Sequence, residues 1–205
     1  MLLAAVLFTT AFLSQCGPAV DPATTRAIIQ VESGGNPLAI GDNTLRQSFA
    51  PKTTREAVSR AKALIARGHS VDLGLMQINS SHLAPMRLSL DDTFDPCRNI
   101  RAGTSILADF YRRYQDGNPT YTLMKALSAY NTGQAWKGAG YVNRILTAAG
   151  VNYRVLFVPV PGADNSTNPP STRKREKSAR RAGPLFFGNT TSALAARRGF
   201  EQPHF

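Results

Sequence analysis

Apolar residues return at helical spacing in five stretches of this chain, and most of these carry their own start and stop signals. The first opens at Asp21-Pro22, with Asp as N-cap and Pro in the first turn. Ala27, Ile28 and Val31 give it an apolar face before Gly34-Gly35 stops it. A second follows Thr53-Thr54-Arg55-Glu56, a capping-box pattern, with Ala57, Val58, Ala61, Leu64 and Ile65 inward and Gly68 at its end. Asp95-Pro96 begins the third, whose Ile100, Ile106, Leu107, Phe110, Tyr111 and Tyr114 face inward up to Gly117. Asn118-Pro119 begins the fourth, with Leu123, Ala126, Leu127 and Tyr130 before Gly133, and the fifth runs from about Gly140 through Val142, Ile145 and Leu146 to Gly150. Strand signals are few. Ile40 to Pro51 reads as an irregular loop or small hairpin, and Val155 to Val160 as the one plausible strand or simply an extended exit. The expectation is an all-α domain, mainly helical α+β at most.

The two ends depart from this pattern. Leu2 to Leu13 carries no charge; it is too short to span a bilayer as a mature helix but suits the apolar region of a signal peptide. A positively charged start and a clear Ala-x-Ala site are missing, and a second candidate cleavage site follows Ala11. The alternative is a first buried helix of a cytosolic protein. No later stretch is long and apolar enough for a transmembrane helix. Beyond Pro161, Asp164 to Thr172 is rich in Asn, Ser, Thr and Pro, and Arg173 to Arg181 is a basic run. Such a segment cannot bury enough apolar surface to order itself. Leu185-Phe186-Phe187 within it is a candidate docking motif. The expected division is a signal peptide over 1–15, a folded domain over 16–158 and a flexible basic tail over 159–205.

Composition narrows the partners without choosing one. The 205 residues, 42% hydrophobic, suffice for one domain with a real core. Lys and Arg number 24 against 13 Asp and Glu, a net charge of +11. That favours nucleic acid, anionic lipid or an acidic polymer such as a cell wall. Residues 159–205 hold eight Lys and Arg against three Asp and Glu, so a net +5 belongs to the tail. Of the two cysteines, Cys16 lies in Leu13-Ser14-Gln15-Cys16, which resembles a lipoprotein processing box apart from the large Gln15. Three readings stand: a Cys16–Cys97 disulfide, which export would permit, a lipid anchor at Cys16, or two unrelated buried thiols. His69, His82 and His204 have no ligand spacing and read as surface or capping residues; no Cys-x-x-Cys pair or Gly-rich phosphate loop occurs. Neither a metal nor a cofactor is expected.

Three short segments carry candidate chemistry: Glu32-Ser33-Gly34-Gly35-Asn36-Pro37; Asp72-Leu73-Gly74-Leu75-Met76-Gln77-Ile78-Asn79; and Ala126-Leu127-Ser128-Ala129-Tyr130-Asn131-Thr132-Gly133, followed by Tyr141-Val142. Glu32 falls in the last turn of its helix, where the helix dipole opposes a negative charge. Each segment alone has a structural explanation. Together, in this order and spacing, they resemble the three motifs of the goose-lysozyme-like (SLT) lytic transglycosylases, and most nearly the VirB1-type branch of type IV secretion systems. Gly-Gly-Asn-Pro-Leu-Ala-Ile-Gly after Glu32, Gly68-His69-Ser70-Val71-Asp72-Leu73 and Phe94-Asp95-Pro96-Cys97 carry the likeness to that branch. The resemblance covers roughly Cys16 to Gly150.

The resemblance implies a lysozyme-like fold and cleavage of the MurNAc-GlcNAc β-1,4 bond in peptidoglycan glycan strands, with a 1,6-anhydroMurNAc product. Glu32 would serve first as acid and then as base, its pKa raised by burial under residues such as Met76 and Tyr130. The substrate's own 2-acetamido group would stabilise the cation, which explains the absence of an obvious second carboxylate. Asp72, the nearest candidate for one, reads as a residue capping the turn into Gly74. Gln77 and Asn79 suit the N-acetyl and hydroxyl groups of sugars, and Met76 an adaptable apolar wall. Tyr130 suits stacking on a sugar or a hydrogen bond to Glu32 or the substrate, Ser33 orientation of the carboxylate or lining of the sugar site, Asn131 either ligand contact or the helix end, and Tyr141 closure of the cleft. The implied setting is a periplasmic monomer remodelling the wall for a secretion or conjugation machine, with no specific nucleic acid. Two competing readings are a hydrolytic lysozyme on the same scaffold and a binding factor acting through the basic tail.

Overall fold

The computed structural model describes residues 8–156. The start of the apolar leader, the tail with Arg173–Arg181 and Leu185–Phe187, and the last residues of the Val155–Val160 segment lie outside them. Eight α-helices and a small antiparallel sheet make up the described chain: α1 (Thr10–Cys16), α2 (Pro22–Ser33), β1 (Ile40–Asp42), β2 (Gln47–Phe49), α3 (Thr54–Ala66), β3 (Val71–Leu73), β4 (Ile78–Asn79), α4 (Leu83–Met86), α5 (Leu90–Phe94), α6 (Pro96–Arg113), α7 (Pro119–Thr132) and α8 (Ala139–Ala148). Helices dominate, as the apolar spacing indicates. Among the described residues, no helix is long and apolar enough to cross a membrane.

The helix ends follow from the chain's own chemistry. Asp21 accepts from the Ala23 N–H at 2.7 Å, Asp95 from Arg98 at 2.8 Å and Asn118 from Tyr121 at 3.0 Å, each just before a proline that needs no N–H partner. At α3 the Thr53 hydroxyl accepts from Glu56, but the Glu56 carboxylate reaches back to Lys52 instead of Thr53, so the capping box is displaced by one residue. A complete box forms at α5, where Ser89 and Asp92 bond reciprocally.

Two differences from the sequence reading stand out. Ile40–Pro51 is the small hairpin of its two readings, but it belongs to an unexpected four-stranded sheet of order β2-β1-β3-β4, with Gly41 opposite Asp72 and Asp72 opposite Asn79. Strands of two and three residues are too short to display alternation, which is why β3 and β4 read as packing around a turn. Val155-Leu156, conversely, forms no strand. The second difference is α1. It is capped by Thr9 and buries Leu13 completely, so the boundary expected at residue 15 falls inside a packed helix.

Two apolar clusters organise the packing. The larger gathers α1, α2, α6, α7 and α8 around Leu13, Ile28, Leu107, Leu127 and Val142. The smaller packs α3 and α5 on the sheet through Ile40, Ala57, Ala61, Leu73 and Phe94. Cys16 and Cys97 form a disulfide that joins the end of α1 to the start of α6. That leaves no free Cys16 thiol for a lipid thioether and rules out two separate thiols. His69 is neither a surface nor a capping residue: its Nδ1 lies 2.8 Å from the buried Asp42 carboxylate and ties the α3–β3 loop to the end of β1.

Candidate active site

The turn between β3 and β4, residues 74–77, lies where the two clusters meet, and almost every polar atom around it is assigned. Gly74 turns the chain at φ 74°, where a Cβ would stand 2.2 Å from the Thr93 carbonyl oxygen. Asn99, buried on α6, accepts from the Met76 N–H at 2.8 Å and donates to the carbonyls of Leu73 at 2.9 Å and Thr93 at 2.7 Å. Two hydroxyls from other helices grip consecutive carbonyls of the same turn. Ser33 on α2 donates to Leu75 at 2.8 Å, and Tyr130 on α7 donates to Met76 at 2.7 Å. The Met76 side chain is fully buried against Gly103, where a Cβ would lie 2.6 Å from its sulfur.

Glu32 is the penultimate residue of α2, stopped by Gly34 in the left-handed region. The same helix end that sends the Ser33 hydroxyl to the turn therefore holds the Glu32 carboxylate beside it. Tyr141, buried on α8, donates its hydroxyl to Glu32 Oε1 at 2.6 Å. The Glu32 pKa is raised from 4.5 to about 7: burial is the largest cause and the nearby Asp72 charge adds to it, while the Tyr141 hydrogen bond and the Arg144 charge oppose them. Burial also pushes the Tyr130 and Tyr141 phenols well above 10, so both stay protonated and able to donate. The result is a half-buried carboxyl group whose titration is moved from the acid range to near neutrality.

The geometry reassigns several residues that the motifs single out. Glu32, Tyr130 and Tyr141 are brought together. Ser33 spends its hydroxyl on Leu75 and does not orient the carboxylate. The Gln77 amide, on a residue with φ 48°, donates to the carbonyls of Gly74 at 2.8 Å and Ala39 at 3.3 Å. Asn79 donates to Asp72 at 2.7 Å and Ser70 at 3.0 Å, and its oxygen accepts from Ser81. The amide hydrogens of both are thus committed within the protein. Met76 offers its carbonyl and not an exposed apolar wall. Asn131 is exposed, and Gly133 and Thr132 hold the helix end instead. Asp72 does not cap the turn into Gly74. Its two oxygens accept from Asn79 and, at 2.8 Å, from Asn43 across the sheet.

Sequence reasoning missed Asn99, Asn43 and Ser70. Asn99 had a signal, a polar residue on the same helical face as Gly103, Ile106 and Phe110. The other two sit in loops where Asn and Ser are ordinary.

Comparison with known proteins gives the site a context. The Transglycosylase SLT domain profile matches residues 10–140. The chain is 37% identical over 144 residues to protein virB1 of Agrobacterium fabrum, covering 67% of this chain and 58% of that protein. It is 36% identical over 154 residues to type IV secretion system protein virB1 of Brucella abortus, covering 70% and 65%. The invasion protein IagB of Salmonella typhimurium is 34% identical over 134 residues, covering 63% and 66%. The chain thus spans less than two thirds of the length of these relatives. No solved structure matches it.

Proposed function

The chain belongs to the transglycosylase SLT domain family, and from that premise we propose that it is a peptidoglycan lytic transglycosylase with Glu32 as its acid and base. The observation that carries this reading is the Glu32 carboxyl itself, lifted to a pKa of about 7 by burial and held on one oxygen by Tyr141. A group so poised gives up and regains a proton at neutral pH with little cost in either direction.

In the reaction, the protonated carboxyl donates to the glycosidic oxygen as the MurNAc–GlcNAc β-1,4 bond breaks. The substrate's 2-acetamido group shields the cationic anomeric carbon. The Glu32 carboxylate then accepts the proton of the muramyl 6-hydroxyl, whose oxygen closes the 1,6-anhydro ring. The proton count balances without water. Tyr141 fixes the carboxylate through both steps, and Ser33 and Tyr130 keep the 74–77 turn in place beside it.

The likeness to the virB1 proteins supports a task in local wall remodelling for a type IV secretion machine, carried out in the periplasm. The Cys16–Cys97 disulfide supports the same location, since such bonds persist in oxidising compartments. A second reading, a hydrolase using water, is favoured by one observation: Asp72 is near enough to raise the Glu32 pKa, and amide donors hold both its oxygens. In that reading Asp72 shields the cation and the product is heavier by one water.

Release of soluble muropeptides from purified peptidoglycan tests the assignment. Glu32→Gln keeps the shape and removes the proton, and is expected to lower the rate by roughly 10³-fold, within the range for loss of a general acid. Activity equal to that of the wild type would remove Glu32 from the chemistry.

A further inference from the structure

Resting on that reading, we propose that the cavity between α8 and the chain segment after it is a subsite for a carboxylate of the peptide stems carried by the glycan strand. Gly140, Arg144, Thr147 and Ala148 recur at intervals of three and four, so they share one face of α8. The three small residues leave room around the single long one. After Gly150 the chain returns along this face because the Asn143 side-chain amide pairs with Val155 in both directions. It accepts from the Val155 N–H at 2.7 Å and donates to the Val155 carbonyl at 3.1 Å. Val155 is itself buried in the larger core cluster, which anchors the return.

This return places Tyr153 and Arg154 across from Arg144, around a cavity of about 460 Å³. Among the described residues no acidic side chain lines it, and neither Arg144 nor Arg154 forms an ion pair. Arg154 has no carboxylate partner among the described residues and Arg144 only the more distant charge of Glu32, so the two guanidinium forks suit a planar, bidentate anion better than a neutral sugar. Tyr153, 53% exposed, adds an aromatic flank.

Position selects the ligand. The Arg144 guanidinium lies 5.6 Å from the centre of the Tyr141 ring, and the Tyr141 hydroxyl bonds Glu32. An anion in the cavity is therefore separated from the Glu32 carboxyl by two side chains, Arg144 and Tyr141. On a glycan strand, the groups at that remove are the peptides attached to the muramyl residues, and their free carboxylates supply the charge.

The full chain carrying Glu32→Gln, titrated calorimetrically with a muramoyl peptide and with the same compound fully amidated, tests the subsite without consuming the ligand. The free acid is expected to bind roughly tenfold more tightly, as for one charge-assisted hydrogen bond. Arg154→Ala should erase the difference, and Arg154→Lys should restore part of it. In the active chain, Arg154→Ala should raise KM about tenfold on stem-bearing strands and leave cleavage of peptide-free strands unchanged. Equal affinity for acid and amide, or discrimination that survives Arg154→Ala, would overturn the subsite. Discrimination by Glu32→Gln, together with a wild-type chain that cuts no glycan, would leave the subsite standing and remove the enzymatic reading instead.

Discussion

Opposing influences meet on the Glu32 carboxyl. The end of the α2 dipole, burial and the Asp72 charge favour its neutral form, while the Tyr141 hydroxyl and Arg144 favour the carboxylate. Burial wins, and the group titrates near neutrality. Because the proposed cleavage begins with the protonated form of Glu32, kcat/KM should fall as pH rises through about 7. Tyr141→Phe removes an influence that stabilises the carboxylate, so it should move this alkaline limb to higher pH while also slowing the reaction. A limb that stays in place would show that Tyr141 does not act on Glu32, and one that moves down would show that Tyr141 favours the neutral acid instead of the carboxylate. At this scale the motifs that resemble the SLT family single out Glu32, Tyr130 and Tyr141, and the fold brings the three together. The sequence does not disclose that Ser33, Gln77 and Asn79 are spent on internal partners. Ser33 meets Leu75 across 42 positions and Gln77 meets Ala39 across 38, and such pairings exist only once the chain has folded.

The 74–77 turn is the element on which the site depends, since α2, α6 and α7 each reach it through one side chain. Asn99 satisfies one N–H and two carbonyls there, all with little access to water. Asn99→Ala should cost about 3 kcal/mol of stability, the scale for stranding buried polar groups. It should also reduce activity although it touches no substrate. Denaturant unfolding alongside a rate measurement checks both, and a loss under about 0.5 kcal/mol would mean that the turn holds its shape without Asn99. The longer helices α2, α3, α6, α7 and α8 are readable from sequence because apolar spacing and flanking Asp-Pro, Asn-Pro or Gly disclose them. Helices α4 and α5, of four and five residues, are too short to show a period. The sheet is not readable either, because its strands are shorter than one full alternation. An apolar run near the N-terminus suits a leader and a buried helix equally, and only the packing of Leu13 shows that part of it lies in the core.

Across the whole molecule, the disulfide ties α1 into the larger cluster and closes a loop with a sequence separation of 81. On the chain-entropy estimate, a closure of that length stabilises the fold by about 4–5 kcal/mol. Cys97→Ser should therefore lower the unfolding free energy by several kcal/mol. A chain starting at Cys16 should also be less stable than one starting at Thr9, because it lacks the buried Leu13. Thermal unfolding of the three proteins checks this, and equal melting temperatures would show that α1 contributes nothing to the domain. The pairing was one of three readings of Cys16 and Cys97, since two cysteines fix a partner but not a reason to meet. The reaction is decided by what attacks the anomeric carbon. Digestion of peptidoglycan by the full chain in ¹⁸O-labelled water, with the new muramyl ends weighed by mass spectrometry, answers that directly. We predict 1,6-anhydro ends, lighter by one water and free of the label. Reducing ends that each carry one labelled oxygen would contradict the transglycosylase assignment and establish a hydrolase.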